Sequence, residues 1–224
     1  MLSKLVQTIC CEPIQERSRA EATALGRRAA SWALELGGCE STVVSRDEFG
    51  APIWPDGWCG SVAHTRIGSE LLATAVVANF SEILSLGIDI ESYDRNFDPQ
   101  IWRRIATPAE NAVAGVEVSR ATVLQLFSAK EAAYKALFPR IRRYVGFREV
   151  TIAWQSGSAN SERSIEPTLS VHGYHAPLTL IAHGVVDAPS VVPEGEQVEV
   201  QLHSDGRLLF ALARERSFRR PGSS

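Results

Sequence analysis

Two short segments carry the residues best suited to chemistry. "GIDIE" (87–91) places Asp89 and Glu91 two positions apart, and "FSAKEAAYKALFP" (127–139) sets Lys130, Glu131 and Lys135 into an otherwise apolar run. On a strand, residues two apart project from one face, so the two carboxylates stand roughly 6–7 Å apart at the backbone. Paired carboxylates repel, and a hard divalent cation that takes oxygen ligands, Mg2+ or Mn2+, removes the repulsion. An exposed polar face on an edge strand is the plainer account of a lone pair of this kind.

In the second segment Phe127, Glu131, Lys135 and Phe138 follow i, i+4, i+8, i+11 spacing and share one helix face. On a solvated face the Glu131–Lys135 pair is worth only about 0.2–0.5 kcal/mol. The flanking aromatics turn that face toward the protein, where a charge needs a partner. A third carboxylate completing a cation site gives Glu131 a role, and an anionic phosphate gives Lys135 one. Mg2+ shares its shell with carboxylates and phosphate oxygens. A lysine nearby neutralises charge that builds on transferring or leaving phosphate oxygens. These residues point to metal-dependent attack on a diphosphate.

Particular elements must hold them. "LSLGIDIES" (84–92) alternates as a strand, with Leu86, Ile88 and Ile90 on one face and Gly87, Asp89 and Glu91 on the other. Ser119 is placed to cap the helix of the second segment, and Pro139 is expected to stop it. "TPAEN" (107–111) starts another helix, with Thr107 as N-cap and Pro108 at the first helical position. Upstream, Pro13 is expected to open a helix that runs to about Leu36 and closes at Gly37–Gly38, carrying Arg17, Arg19, Arg27 and Arg28. "DEFGAPIWPDGWCG" (47–60) reads as a structured loop. "SVAHT" then leads through a turn at Gly68 into the apolar strand 71–80. Beyond Phe147 five β-rich runs are separated by polar turns, and "RERSFRRPGSS" (214–224) reads as a frayed basic tail.

The chain has 224 residues, 45% hydrophobic and 22% charged, with a net charge of −3. That composition fits a globular protein with a substantial core. The charge argues against nonspecific coating of nucleic acid, though not against a local basic patch. The longest apolar run is too short to span a bilayer. "LVQTIC" lacks the hydrophobic region that must precede a lipoprotein cleavage site, so no membrane association and a cytoplasmic location are expected. Cys10, Cys11, Cys39 and Cys59 make no CxxC pair and read as free thiols.

Taken in order, "WPDGWCGSVAHT" (54–65), "GIDIE" and "FSAKEAAYKA" (127–136) resemble the three signatures of the 4′-phosphopantetheinyl transferases. The resemblance is to the larger, pseudo-dimeric type, and it covers roughly residues 17 to 150. It implies an α+β fold of two similar lobes related by a pseudo-twofold axis, each a helix on a mainly antiparallel sheet, divided as 1–84 and 85–224. It implies transfer of the phosphopantetheine arm of coenzyme A to a serine of an apo acyl or peptidyl carrier protein, by a monomer. By resemblance, Asp89, Glu91 and Glu131 hold the metal, and Glu131 is also the base that takes the serine proton. Lys135 contacts the phosphates and steadies the leaving group, and Lys130 matches a lysine beside the acid, among the coenzyme-binding residues. Ser61, His64 and Thr65 lie in the signature that meets coenzyme A, with His64 on a phosphate. Arg27 resembles the arginine that holds the 3′-phosphate, with Arg19 as an upstream companion; Arg17 and Arg28 read as solvated.

Two departures bear on coenzyme affinity. Ala63 stands where the family often has serine. Phe49 stands where some relatives have lysine, a loss that Arg46 is placed to offset. Trp54 and Trp58 read as loop packing. Glu110 either orients neighbours or simply favours a helix N-terminus. The histidines of "HGYH" (172–175) read as surface residues rather than a zinc site. Ser61 lacks the turn motif of a hydrolase nucleophile. Two rival functions share the same residues: another Mg2+-dependent phosphoryl or nucleotidyl transferase, and a non-catalytic module that binds coenzyme A or a carrier.

Overall fold

The computed structural model describes residues 5–13, 19–79, 83–114, 118–155, 171–172 and 178–217. The first half builds strand β1 (Val6–Pro13), helix α1 (Arg19–Gly37), short strands β2 (Ser45–Arg46) and β3 (Pro52–Ile53), and the hairpin of β4 (Trp58–Ile67) and β5 (Glu70–Asn79). The second begins with β6 (Ser85–Ser92), the short helices α2 (Trp102–Ile105) and α3 (Pro108–Ala114), and the long helix α4 (Arg120–Ile141). It ends with β7 (Thr151–Trp154), β8 (Val171–His172), β9 (Thr179–Asp187), β10 (Glu196–Ser204) and β11 (Leu208–Ser217).

The fold is α+β with two similar lobes. One sheet has the order β4-β5-β1-β8 and the other β6-β11-β10-β9-β7. In each lobe a strand (β1 or β6) feeds a long helix (α1 or α4). A hairpin follows whose second strand (β5 or β11) pairs antiparallel with the first. The triplets β4-β5-β1 and β10-β11-β6 therefore repeat one arrangement. One strand crosses over: β8 lies late in the chain, yet it pairs in parallel with β1.

Strand alternation sorts the side chains into three cores. Leu71, Ala73, Ala75 and Val77 of β5 meet α1. Leu72, Val76 and Ala78 turn the other way and meet Leu86, Ile88 and Ile90 of β6 and Phe210 of β11 in a core shared by both sheets. On the far face of the second sheet, Val198, Val200, Leu202 and Ala211 receive α4. The sheets thus lie face to face with one helix outside each. Their edges β4 and β6 also meet, where the Ile88 amide donates to Ser61 Oγ at 3.1 Å.

Local signals act as the sequence implies at several element ends. Ser119 Oγ accepts from the Thr122 amide, capping α4. Thr107 Oγ1 accepts from the Glu110 amide while Glu110 Oε2 accepts from the Thr107 amide, a reciprocal capping box. Gly38, at φ 84°, takes the left-handed turn that ends α1.

Four expectations are corrected. Pro13 closes a strand rather than opening a helix; α1 starts at Arg19, and residues 14–18 lie outside the described residues. Residues 58–60 belong to β4, not to the preceding loop. Pro139 lies inside α4: it forfeits one bond to the carbonyl four positions back, and the helix runs only to Ile141, where Arg142 in a left-handed conformation donates to the Phe138 carbonyl. Residues 214–217 continue β11, so the tail begins later; Arg214 and Glu215 are buried.

Candidate functional site

Side chains on β6 place the acids. Asp89 and Glu91 share their strand face with Gly87, and that face is covered by α4 rather than by solvent. The approach is close because α4 offers alanines opposite Gly87. Ala129, Ala132, Ala133 and Ala136 are fully buried, and Gly87 lies against the backbone of Ala132 and Ala136. The plain reading of an exposed acidic edge fails on this point: the strand is an edge of its own sheet, yet both carboxylates are buried.

Burial without partners is costly, and the partners are visible. Asp89 accepts from Lys135 Nζ at 2.9 Å through one oxygen and from Ser128 Oγ at 2.9 Å through the other. Lys135 also donates to the Ile88 carbonyl at 2.9 Å. Arg95 donates to one Glu91 oxygen, while the other, Oε2, is buried with no partner among the described residues. Burial, then repulsion from Asp89, pushes the Glu91 carboxyl up to about 7. Burial also raises the Glu131 carboxyl; Lys135, one helical turn further on, opposes that shift, and the charge of Asp89 adds to it.

A cleft of about 720 Å³ opens along the seam of β4 and β6, between α1 and the C-terminal half of α4. Its cationic lining comes from Arg27 of α1, Arg46 of β2, and Lys135 and Arg142 at the end of α4, with His64 of β4 beside them. Among the described residues the only acid in the lining, Asp47, is already paired with Arg142, so the cleft presents net positive charge. His64 stands exposed on the wall, yet crowding by the cleft and the charge of Lys135 hold its ring below the ordinary value against the pull of Asp89. Lys135 lines the cleft and bonds Asp89, so it joins the cationic cavity to the acids.

The other expected site residues divide. Ser61 lines the cleft, but its hydroxyl is engaged by Ile88. Thr65 is buried on the same strand face and is not part of the cleft lining. Ala63 is 1% exposed in the core between the sheets, so a serine hydroxyl there would be buried among apolar side chains. Trp54 and Trp58 both pack on the α1 core and line the cleft. Phe49 sits at the rim, edge-on to Phe138 at 6.0 Å. The side chain of Arg19, all of Arg17 and residues 173–175 lie outside the described residues. Cys39 and Cys59 are free thiols, and burial pushes that of Cys59 up to about 12.

Lys130 goes elsewhere. Adjacent helix residues point about 100° apart, and Lys130 turns into the core while Glu131 stays half-buried. Its ammonium donates to Glu110 Oε2 and the Ile105 carbonyl at 2.7 Å and to the Phe147 carbonyl at 2.9 Å. All three donors are used, and it is absent from the cleft lining. Glu110 also accepts from the Ile152 amide, so this pair ties α3, α4 and β7 together. Breaking a buried pair strands a charge at a cost of about 3–5 kcal/mol. Lys130→Met is therefore expected to lower stability by about that much, read as a shifted urea midpoint, with Glu110→Leu in the same chain restoring part of it. A K130M chain as stable as the wild type would remove this role.

The resemblance implies a divalent cation at the acids. The donors fit one chemically: they are carboxylate oxygens, one of them buried and unpartnered, and two cationic side chains already stand on Asp89 and Glu91. Among the described residues, however, no group of three or more His, Cys, Asp or Glu is arranged to hold a metal. The acids share a wall without closing into a finished cage. Reading the sequence missed Ser128, three positions before Glu131 on the same helix, and Arg95, four positions after Glu91; spacing alone was the available signal for either.

Fold and site together define a two-lobed protein with a cationic interlobe cleft that runs into buried acids. Residues 15–78 match the family model for the 4′-phosphopantetheinyl transferase N-terminal domain, and residues 85–187 match that of the 4′-phosphopantetheinyl transferase superfamily. The chain belongs to this superfamily. It is 34% identical over 134 residues to the 4′-phosphopantetheinyl transferase PptT of Mycobacterium tuberculosis, covering 59% of this chain and 57% of that one. It is 33% identical over 138 residues to the 4′-phosphopantetheinyl transferase Npt of Nocardia iowensis, covering 60% of each. The matched region thus spans less than two thirds of these relatives.

Proposed function

We propose that the protein transfers the 4′-phosphopantetheine arm of coenzyme A to a serine of an apo acyl or peptidyl carrier protein, releasing adenosine 3′,5′-bisphosphate. The observation that carries this reading is Lys135, which lines the cationic cleft and at the same time binds Asp89 beside Glu131. Arg27 and Arg46 bind the phosphates of coenzyme A through charge-assisted hydrogen bonds, and His64 donates a ring N–H to one of them. Glu131, made more basic by burial, takes the proton of the carrier serine. The serine oxygen forms its bond to the phosphorus that bears the pantetheine arm. The bond from that phosphorus to the bridging oxygen breaks, and Lys135 neutralises the leaving bisphosphate.

Asp89, Glu91 and Glu131 would hold Mg2+, with Mn2+ as a substitute. When bound, such an ion neutralises the diphosphate and polarises its phosphorus. The carrier docks at the rim of the cleft, and the enzyme works as a monomer in the cytoplasm, with lobes 1–84 and 85–224. Among the described residues no helix is long and apolar enough to cross a membrane.

The test is direct. With coenzyme A, Mg2+ and an apo carrier, the carrier is expected to gain the mass of one phosphopantetheine arm. An unchanged mass with several different apo carriers would reject the reading, and turnover of a nucleoside triphosphate without any carrier would favour a different phosphoryl transferase.

A further inference from the structure

Arg95 sits in the turn that follows β6, where its amide donates to the Ser92 carbonyl at 3.0 Å. Its guanidinium reaches back to Glu91 through a single nitrogen. The fork geometry that makes arginine–carboxylate pairs strong needs two parallel bonds, and here one is missing. The other Glu91 oxygen stays buried, with no partner among the described residues. The Arg95 side chain is 52% exposed, against 6% for that of Glu91. One end of the pair therefore has access to solvent, and the other has none.

An aromatic platform also holds the arginine. Its guanidinium carbon lies 4.7 Å from the ring centre of Phe97 and 5.8 Å from that of Phe127. The two rings meet edge to face at 5.0 Å, and Phe127 leans on Phe147 at 5.4 Å. Phe97 is buried, so the platform is anchored in the core of the second lobe. A planar cation gains from resting on such rings whether or not its nitrogen also touches Glu91. Arg95 can leave the carboxylate and keep its stacking.

We infer that Arg95 is an internal counter-ion that occupies the Glu91 end of the acidic site and competes with the divalent cation for it, so that this arginine sets the affinity of the empty enzyme for its metal. The inference rests on the proposed assignment of Asp89, Glu91 and Glu131 as metal ligands. The geometry favours competition over simple support. A supporting arginine would satisfy both oxygens of Glu91, whereas this one satisfies one and leaves the other as an unfilled ligand position. Lys135 does the same service for Asp89, but it also lines the cleft, where a phosphate can draw it away. Arg95 does not line the cleft, so its displacement depends on the cation alone.

Mn2+ binding to the full chain without coenzyme A or carrier tests this, read from the loss of the free-ion paramagnetic resonance signal. Arg95→Leu is expected to bind Mn2+ roughly tenfold more tightly than the wild type, and Arg95→Lys, which keeps the charge, is expected to stay near the wild type. Asp89→Asn in the Arg95→Leu background should lose the gain. If the wild type binds Mn2+ and Arg95→Leu binds it equally or more weakly, the competition is refuted while the metal site stands. If neither binds Mn2+, with or without added coenzyme A, both the metal assignment and this inference fall.

Discussion

Gly87→Ala is expected to cost at least about 3 kcal/mol of stability, at or above the upper range for overpacking a core. The added Cβ would lie 1.8 Å from the Ala132 carbonyl oxygen and 2.6 Å from the Ala136 amide nitrogen. Both are backbone atoms of α4, so no side-chain rotation relieves the clash. The helix must move outward as a unit, and its four buried alanines then lose contact with the sheet. Set against total stabilities of about 5–15 kcal/mol, this is a large fraction. Catalysis should suffer as well, because the same shift draws Lys135 and Ser128 away from Asp89. Urea unfolding checks the first claim and the carrier mass assay the second. A G87A chain with a wild-type midpoint would show that α4 and β6 are not in the contact described.

Glu131→Gln should act in the reverse sense, removing function and sparing the fold. Loss of a general base costs typically 10²–10⁴ in rate, and loss of a metal ligand adds to it, so transfer is expected to fall by about 10³ or more. Among the described residues the Glu131 side chain makes no hydrogen bond or ion pair, and the amide has nearly the same shape. Stability should even improve at neutral pH without metal. Burial raises the Glu131 carboxyl above its value in the unfolded chain. The folded state therefore holds the proton more tightly, and the resulting stability is present below the unfolded value near 4.5 and lost as pH rises through the folded one. Glutamine removes that loss. E131Q should thus melt at or above the wild-type temperature at pH 8 and show no advantage at pH 4. Normal transfer by E131Q would exclude it as base and ligand together.

The sequence made some of this visible because local rules governed it. Thr107 and Ser119 cap their helices through bonds that span three residues, and such bonds can be read from spacing. The strict alternation of 86–91 correctly separated the face that meets the first lobe from the face that carries Asp89 and Glu91. What could not be read was set by distant partners. β1 hid because "VQTICCEP" has weak alternation and ends in a proline that equally suits a helix start; its pairing with β5, some seventy positions away, decides the matter. Lys130 stood beside Glu131 in a shared motif, but its destination depends on Glu110 and Phe147, which only the fold brings near. Arg95 found Glu91 through a turn, and nothing in the intervening residues announces that turn's direction.

The meeting of β4 with β6 carries a consequence for how the gene can be divided. Each strand ends its own sheet, and each is shielded by the other, with Ser61 answering the Ile88 amide across the join. Breaking the polypeptide between β5 and β6 would yield two fragments, each with a raw sheet margin and a bare oily flank that matches the other's. Apart they would be sticky and poorly soluble; made together, they have the makings of a split protein that reassembles across its own cationic cleft.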